Sequence, residues 1–140
     1  MDTIVQVDAK GRILIPSEFR EVLDIKGGDE ILLTLDAKTK TLIVSPIYSE
    51  EGRFVKIEIE FDDTIGALAK IADYIARKGI DLVMTESKSF QRWKRARWII
   101  IADISRSNSN IKELQEGLLG MDFVKNVSIE EIERDLVHRG

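Results

Sequence analysis

After residue 53 the hydrophobic pattern is easy to read. Val55, Ile57, Ile59 and Phe61 alternate with Lys56, Glu58 and Glu60, which predicts a strand with one buried and one wet face. Leu68, Ile71, Ala72 and Ile75 then recur at helical spacing, with Asp73 and Arg77 paired four apart on the wet side. This predicts an amphipathic helix that Gly79 ends. Two β-rich runs over 82–90 and 97–104 flank a polar segment, 91–96. Ile111, Leu114 and Leu118 form the buried stripe of a second helix, with Ser109 or Asn110 as its cap and Glu113 in its first turn. Val124, Val127 and Ile129 complete a closing strand. The order is βαββαβ, the ferredoxin-like split βαβ topology.

Before residue 50 the elements are shorter. Residues 3–7 and 12–15 are β-rich, and Asp8, Ala9, Lys10 and Gly11 between them supply turn chemistry. Pro16, Ser17 and Glu18 open a short helix whose apolar face is Phe19, Val22 and Leu23. Gly27, Gly28 and Asp29 break the chain, and two apolar runs over 30–35 and 41–44, joined by a polar turn, predict a hairpin. Pro46 and the stretch 49–52 lack apolar periodicity, which places a domain boundary there.

With 140 residues, 44% of them hydrophobic, the chain has room for one ordinary domain or two small ones. A first domain of roughly 50 residues buries too little surface to be stable alone, so it is expected to share its core with a second copy. The absence of Cys excludes disulfides, thiolate zinc sites and a cysteine nucleophile. A cytoplasmic protein is expected: the first ten residues lack a basic start followed by an apolar run, and the longest apolar stretch, 98–102, is too short to span a bilayer. The net charge is −4, and the first 50 residues set six cations against nine acids, a balance of −3. Such a chain does not coat nucleic acid indiscriminately. Sequence-specific binding requires only a local basic face.

The run VDAKGRILIPSEFREVLDIKGGDEILL, continued by TLIVSP, resembles the swapped-hairpin domain of the AbrB, SpoVT and MazE type over about residues 3–47. That resemblance implies two chains exchanging hairpins into one dimeric β-barrel. It also implies DNA contact through basic residues around the GR-IP segment and on the short helix, here Lys10, Arg12 and Arg20. AbrB itself has a second arginine where this chain has Glu21, and basic residues where it has Val5 and Gln6. From residue 54 to about 132, and especially in FDDTIGALAKIADYIARKGIDL, the sequence is similar to ACT domains, ferredoxin-like modules that commonly dimerise and bind amino acids or other small molecules. The fold implied is α+β: a swapped-hairpin dimeric β-barrel over 1–48, then an ACT-like βαββαβ domain over 53–135.

Each candidate residue carries an alternative reading. Lys10, Arg12 and Arg20 are phosphate and base-edge contacts, doubled by a dimer into two half-sites, or ordinary solubility charge. Gly66 lets a ligand carboxylate approach the start of a helix, or serves helix-to-sheet packing. Asp62 and Asp63 would hold an α-amino group, or simply form a turn. The segment 92–98 interleaves cations with Trp93 and Trp98 as nucleic-acid surfaces do, although Trp98 is expected in the core. His138, alone in a charged tail, has no nucleophile or orienting group beside it, so no enzyme activity, metal or cofactor is expected. The expected function is a transcription regulator that binds double-stranded DNA as a homodimer and responds to a small metabolite such as an amino acid. ACT pairing would extend the dimer to a tetramer. Two rivals are a MazE-like antitoxin or other protein-interaction module, which predicts an extended tail that folds on its partner, and a detached ACT regulatory subunit of an enzyme.

Overall fold

A computed structural model describes residues 1–48, 51–89 and 94–135. The chain divides into two compact units, Met1–Glu50 and Glu51–Gly140.

In the first unit the helix α1 spans Ser17–Leu23, led by Pro16 with Glu18 in its first turn. It stops at Asp24, whose left-handed backbone (φ 54°) closes the helix while the Ile25 N–H donates to the Arg20 carbonyl at 3.0 Å. The hairpin follows as strands β1 (Ile31–Asp36) and β2 (Thr41–Pro46), antiparallel with Ile31 opposite Pro46 and Asp36 opposite Thr41. Asp36 Oδ1 accepts from the Lys38 N–H and tightens the turn.

The strands expected over 3–7 and 12–15 do not form within one chain. Residues 2–7 and 12–16 carry no ladder and are joined only at the turn where the Asp8 N–H donates to the Arg12 carbonyl and the Gly11 N–H to that of Asp8. No closed barrel is present among the described residues. Strand propensity is local, but ladder hydrogen bonds need a partner backbone, and one copy offers none to these runs. Their side chains stay exposed, Ile4 at 98% and Leu14 at 76%, and within 1–48 only Leu32 is buried.

The second unit is a four-stranded antiparallel sheet with two helices. Strand β3 (Phe54–Asp62), helix α2 (Ala67–Arg77), strands β4 (Asp81–Ser89) and β5 (Arg95–Asp103), helix α3 (Ile111–Leu119) and strand β6 (Val124–Glu131) follow in chain order. The sheet order β4-β5-β3-β6 interleaves the two βαβ halves, so the βαββαβ reading is the observed topology. Alternation becomes layering. Val55, Ile57, Ile59 and Phe61 stand opposite Ala102, Ile100, Trp98 and Ala96 on β5, and this face meets Ile71 and Ile75 of α2 and Leu114 and Leu118 of α3 in one core. Trp98 is buried there as expected.

Two details depart from the periodicity. Leu68, on the expected apolar stripe, lies at the helix start and is exposed. Strand β5 begins at Arg95 rather than residue 97, because Asp62 and Phe61 at the end of β3 extend the ladder to Arg95 and Ala96. Asn110 is the cap of α3, its Oδ1 accepting from the Glu113 N–H at 2.8 Å.

The helices meet where Gly117 faces Tyr74. A Cβ on Gly117 would lie 1.8 Å from the Tyr74 hydroxyl oxygen, so any larger residue must displace the Tyr74 ring, and packing favours glycine despite its low helix propensity. Gly117→Ala should destabilise the chain by about 1 kcal/mol, the overpacking cost outweighing the helix gain. In a Tyr74→Leu background the same change should stabilise by up to about 1 kcal/mol. Urea denaturation of the four proteins of this cycle checks the reversal of sign.

Candidate nucleic-acid interface and the acidic loop

Lys10, Arg12 and Arg20 are all exposed. Lys10 and Arg12 belong to one turn, built by Asp8. Its Oδ1 accepts from the backbone N–H groups of Lys10 and Arg12, at 2.9 Å each, and Gly11 supplies the positive φ of 78° that the turn requires. Arg12 Nε donates to Asp8 Oδ2 at 2.7 Å. Donation from the backbone and side chain of Arg12 holds the Asp8 carboxyl below its ordinary pKa. Arg20 lies in the last turn of the short helix α1, and its Nε donates to the Ile15 carbonyl at 3.1 Å. The three cations therefore flank one segment, 13–15, with Lys10 and Arg12 on the turn before it and Arg20 tied to its last residue.

Asp62, Asp63 and Gly66 lie together between β3 and α2. The Asp62 carboxylate is engaged: it lies 3.5 Å from Arg95 Nε and 3.3 Å from Lys125 Nζ, and Arg95 also reaches Glu60 at 2.8 Å. The charge of Arg95, part of the basic segment read above, is thus matched within the sheet. The Asp63 N–H donates to the Lys94 carbonyl at 3.1 Å, which brings the acidic loop beside the residue that precedes β5. Gly66 precedes α2 with φ 83°, and a Cβ there would meet nothing within 4 Å. Backbone conformation, not close helix-to-sheet packing, is what demands glycine at this position. Trp93, the first part of the basic segment, residues 49 and 50 of the expected boundary, and His138 lie outside the described residues. Among the described residues no group of three or more His, Cys, Asp or Glu is placed to hold a metal, and no helix is long and apolar enough to cross a membrane.

Sequence reasoning found the turn but not the part Asp8 plays in it. The signal was local: an acid three residues before Gly-Arg, the spacing at which a carboxylate meets the N–H groups two and four residues on.

Residues 4–51 match the family described as antidote-toxin recognition MazE, bacterial antitoxin, so the first unit is similar to a MazE-type domain. The chain is 23% identical over 123 residues to the transcriptional regulator MraZ of Pseudomonas savastanoi pv. phaseolicola, a match covering 71% of this chain and 82% of that protein. It is 35% identical over 60 residues to MraZ of Shewanella baltica, covering 43% of this chain and 39% of that protein. It is also 27% identical over 113 residues to the L-threonine ammonia-lyase of Geobacter sulfurreducens, covering 77% of this chain but only 28% of the enzyme.

Proposed function

We propose that the chain is a DNA-binding transcription regulator in which residues 1–48 form a swapped-hairpin dimer on the operator and residues 53–135 form an ACT-like module for ligand binding and assembly. One observation carries the DNA reading: within the MazE-like segment, the turn 8–12 and the helix α1 present Lys10, Arg12 and Arg20 to solvent. The overall charge of −4 does not oppose this, since phosphates respond to the local face. The similarity to MraZ, a transcriptional regulator by name, supports the same reading.

The effector reading is supported by the βαββαβ topology, by the glycine that opens α2 beside an acidic loop, and by similarity to an enzyme of L-threonine. An amino acid is the effector this combination favours. Its carboxylate would meet the N-terminus of α2, and Asp63, with Asp62 drawn away from its cations, would meet its amino group. Pairing of ACT-like modules would carry the dimer to a tetramer.

Selecting duplexes from a random pool with the purified protein, with and without the common amino acids, tests both parts. A motif of two half-sites should be enriched, and one amino acid should change the yield by about 5- to 150-fold, the usual range of coupling. No enrichment under either condition removes the DNA reading. The MazE description favours a second reading, an antitoxin. Residues 54–89 and 94–131 form a sheet and two helices with one core where that reading expects an extended tail, so it ranks behind the first. Absence of any enriched duplex together with a stable complex with a cognate toxin would reverse that order.

A further inference from the structure

The carboxylate of Asp8 is fixed before it meets Arg12. Oδ1 is held by two backbone N–H groups, and the Asp8 N–H donates to the Arg12 carbonyl at 2.9 Å. Oδ2 is left with one donor, Arg12 Nε. A guanidinium carries five N–H donors in a rigid fork. With Nε engaged, Nη1 and Nη2 remain for a ligand, on a side chain still 70% exposed.

We propose that Asp8 is a positioning residue for base readout, holding Arg12 by Nε so that its Nη1 and Nη2 donors meet the edge of a guanine as a pre-set pair. The proposal rests on the DNA-binding reading of the first unit. A free arginine has many rotamers to lose on binding, and an anchored one has lost them already. Phosphate contact gains little from this, because a phosphate accepts from many directions and the contact carries no sequence information. A guanine offers O6 and N7 in one plane, and discrimination depends on meeting both. The acid beside Arg12 also opposes phosphate, so its presence weakens generic binding. Fixed orientation is the gain that offsets this loss. Donation from the backbone and side chain of Arg12 lowers the Asp8 carboxyl below its ordinary pKa and so favours the charged form that holds Nε. Arg20, held through Nε by the Ile15 carbonyl, repeats the arrangement with a backbone acceptor.

The test uses the full chain in three forms, unsubstituted, Asp8→Asn and Arg12→Ala, each used to select from the same random duplex pool. Each is then titrated with the selected duplex and with a scrambled one. Asn at position 8 keeps an oxygen for the two backbone N–H groups but places an NH2 where Arg12 Nε needs an acceptor. Arg12→Ala should lose the preference at one base pair per half-site. Asp8→Asn should lose about ten-fold in discrimination at that same base pair, while binding the scrambled duplex at least as tightly as the unsubstituted chain. If Asp8→Asn keeps the motif and only binds every duplex more tightly, Asp8 is a competitor of phosphate and the positioning role is wrong. If the unsubstituted chain enriches nothing, the DNA reading itself falls and takes the proposal with it. One measurement needs no substitution: the Arg12 Nε–Hε group should show an NMR order parameter near that of rigid backbone, about 0.85, and a value below about 0.6 overturns the proposal.

Discussion

Each ten-fold dilution of the fragment 1–50 should lower its melting midpoint by about 7 °C. Within 1–48 a single copy buries only Leu32 and leaves Ile4, Val7, Leu14, Val22, Leu33, Leu35 and Leu42 exposed. Fully covering a Leu or Ile is worth about 1.5–3 kcal/mol, so these side chains represent most of the stabilisation open to so short a domain. The runs 2–7 and 12–16 also have backbone groups with no ladder in one chain, and a second copy can pair them. Folding and association then become one step, and the midpoint depends on concentration. About 100 ordered residues per dimer give an unfolding enthalpy of about 70 kcal/mol, from which the slope of about 7 °C per decade follows. Calorimetry or circular dichroism over three decades of concentration measures it. A midpoint independent of concentration, with a monomer in sedimentation, would mean that one copy closes its own core and would remove the swapped hairpin.

The same residues show what the sequence made legible. The second unit could be read because its information is periodic and its partners lie in the same chain. Residues 55, 57, 59 and 61 all face one core, and the helices covering them follow in order. The first unit was legible as to its elements, with α1 and the hairpin where propensity and turn residues place them. The strands that β propensity predicts over 3–7 and 12–15 are not formed, because propensity is local whereas a ladder needs a partner backbone. The site divides in the same way. The exposure of Lys10, Arg12 and Arg20 agrees with the position of turn and helix. The engagement of Asp62 by Arg95 and Lys125 depends on the cross-strand register that sets Asp62 opposite Arg95, and periodicity leaves register open by two residues.

Replacing Arg12 or Arg20 by Ala should lower the slope of log K against log salt by about 1.8 for operator binding. An arginine brought to the DNA surface displaces about 0.9 counterions through its charge, whether its donors meet a phosphate or, as proposed for Arg12, a base edge, and a symmetric dimer carries each change twice. If affinity at 1 M salt is unaltered, this slope corresponds to a loss of about 60-fold at 0.1 M. The structure makes the comparison clean for stability, because both side chains are exposed and neither contributes to a core. It also separates the two residues. Arg12 loses an exposed ion pair with Asp8, a kind of contact worth little to stability, and its removal leaves Asp8 as an uncompensated acid facing the DNA. Arg12→Ala should therefore cost more affinity than Arg20→Ala, whose Nε partner is the neutral carbonyl of Ile15. Titrations at four or more salt concentrations, with the circular dichroism melt of each variant alongside, provide both slopes. Unchanged slopes for both variants with unchanged melts would take the two arginines out of the interface and shift attention to the cations of the second unit. Equal losses would show that Asp8 does not act against phosphate, and with that the electrostatic cost on which its positioning role is argued would disappear.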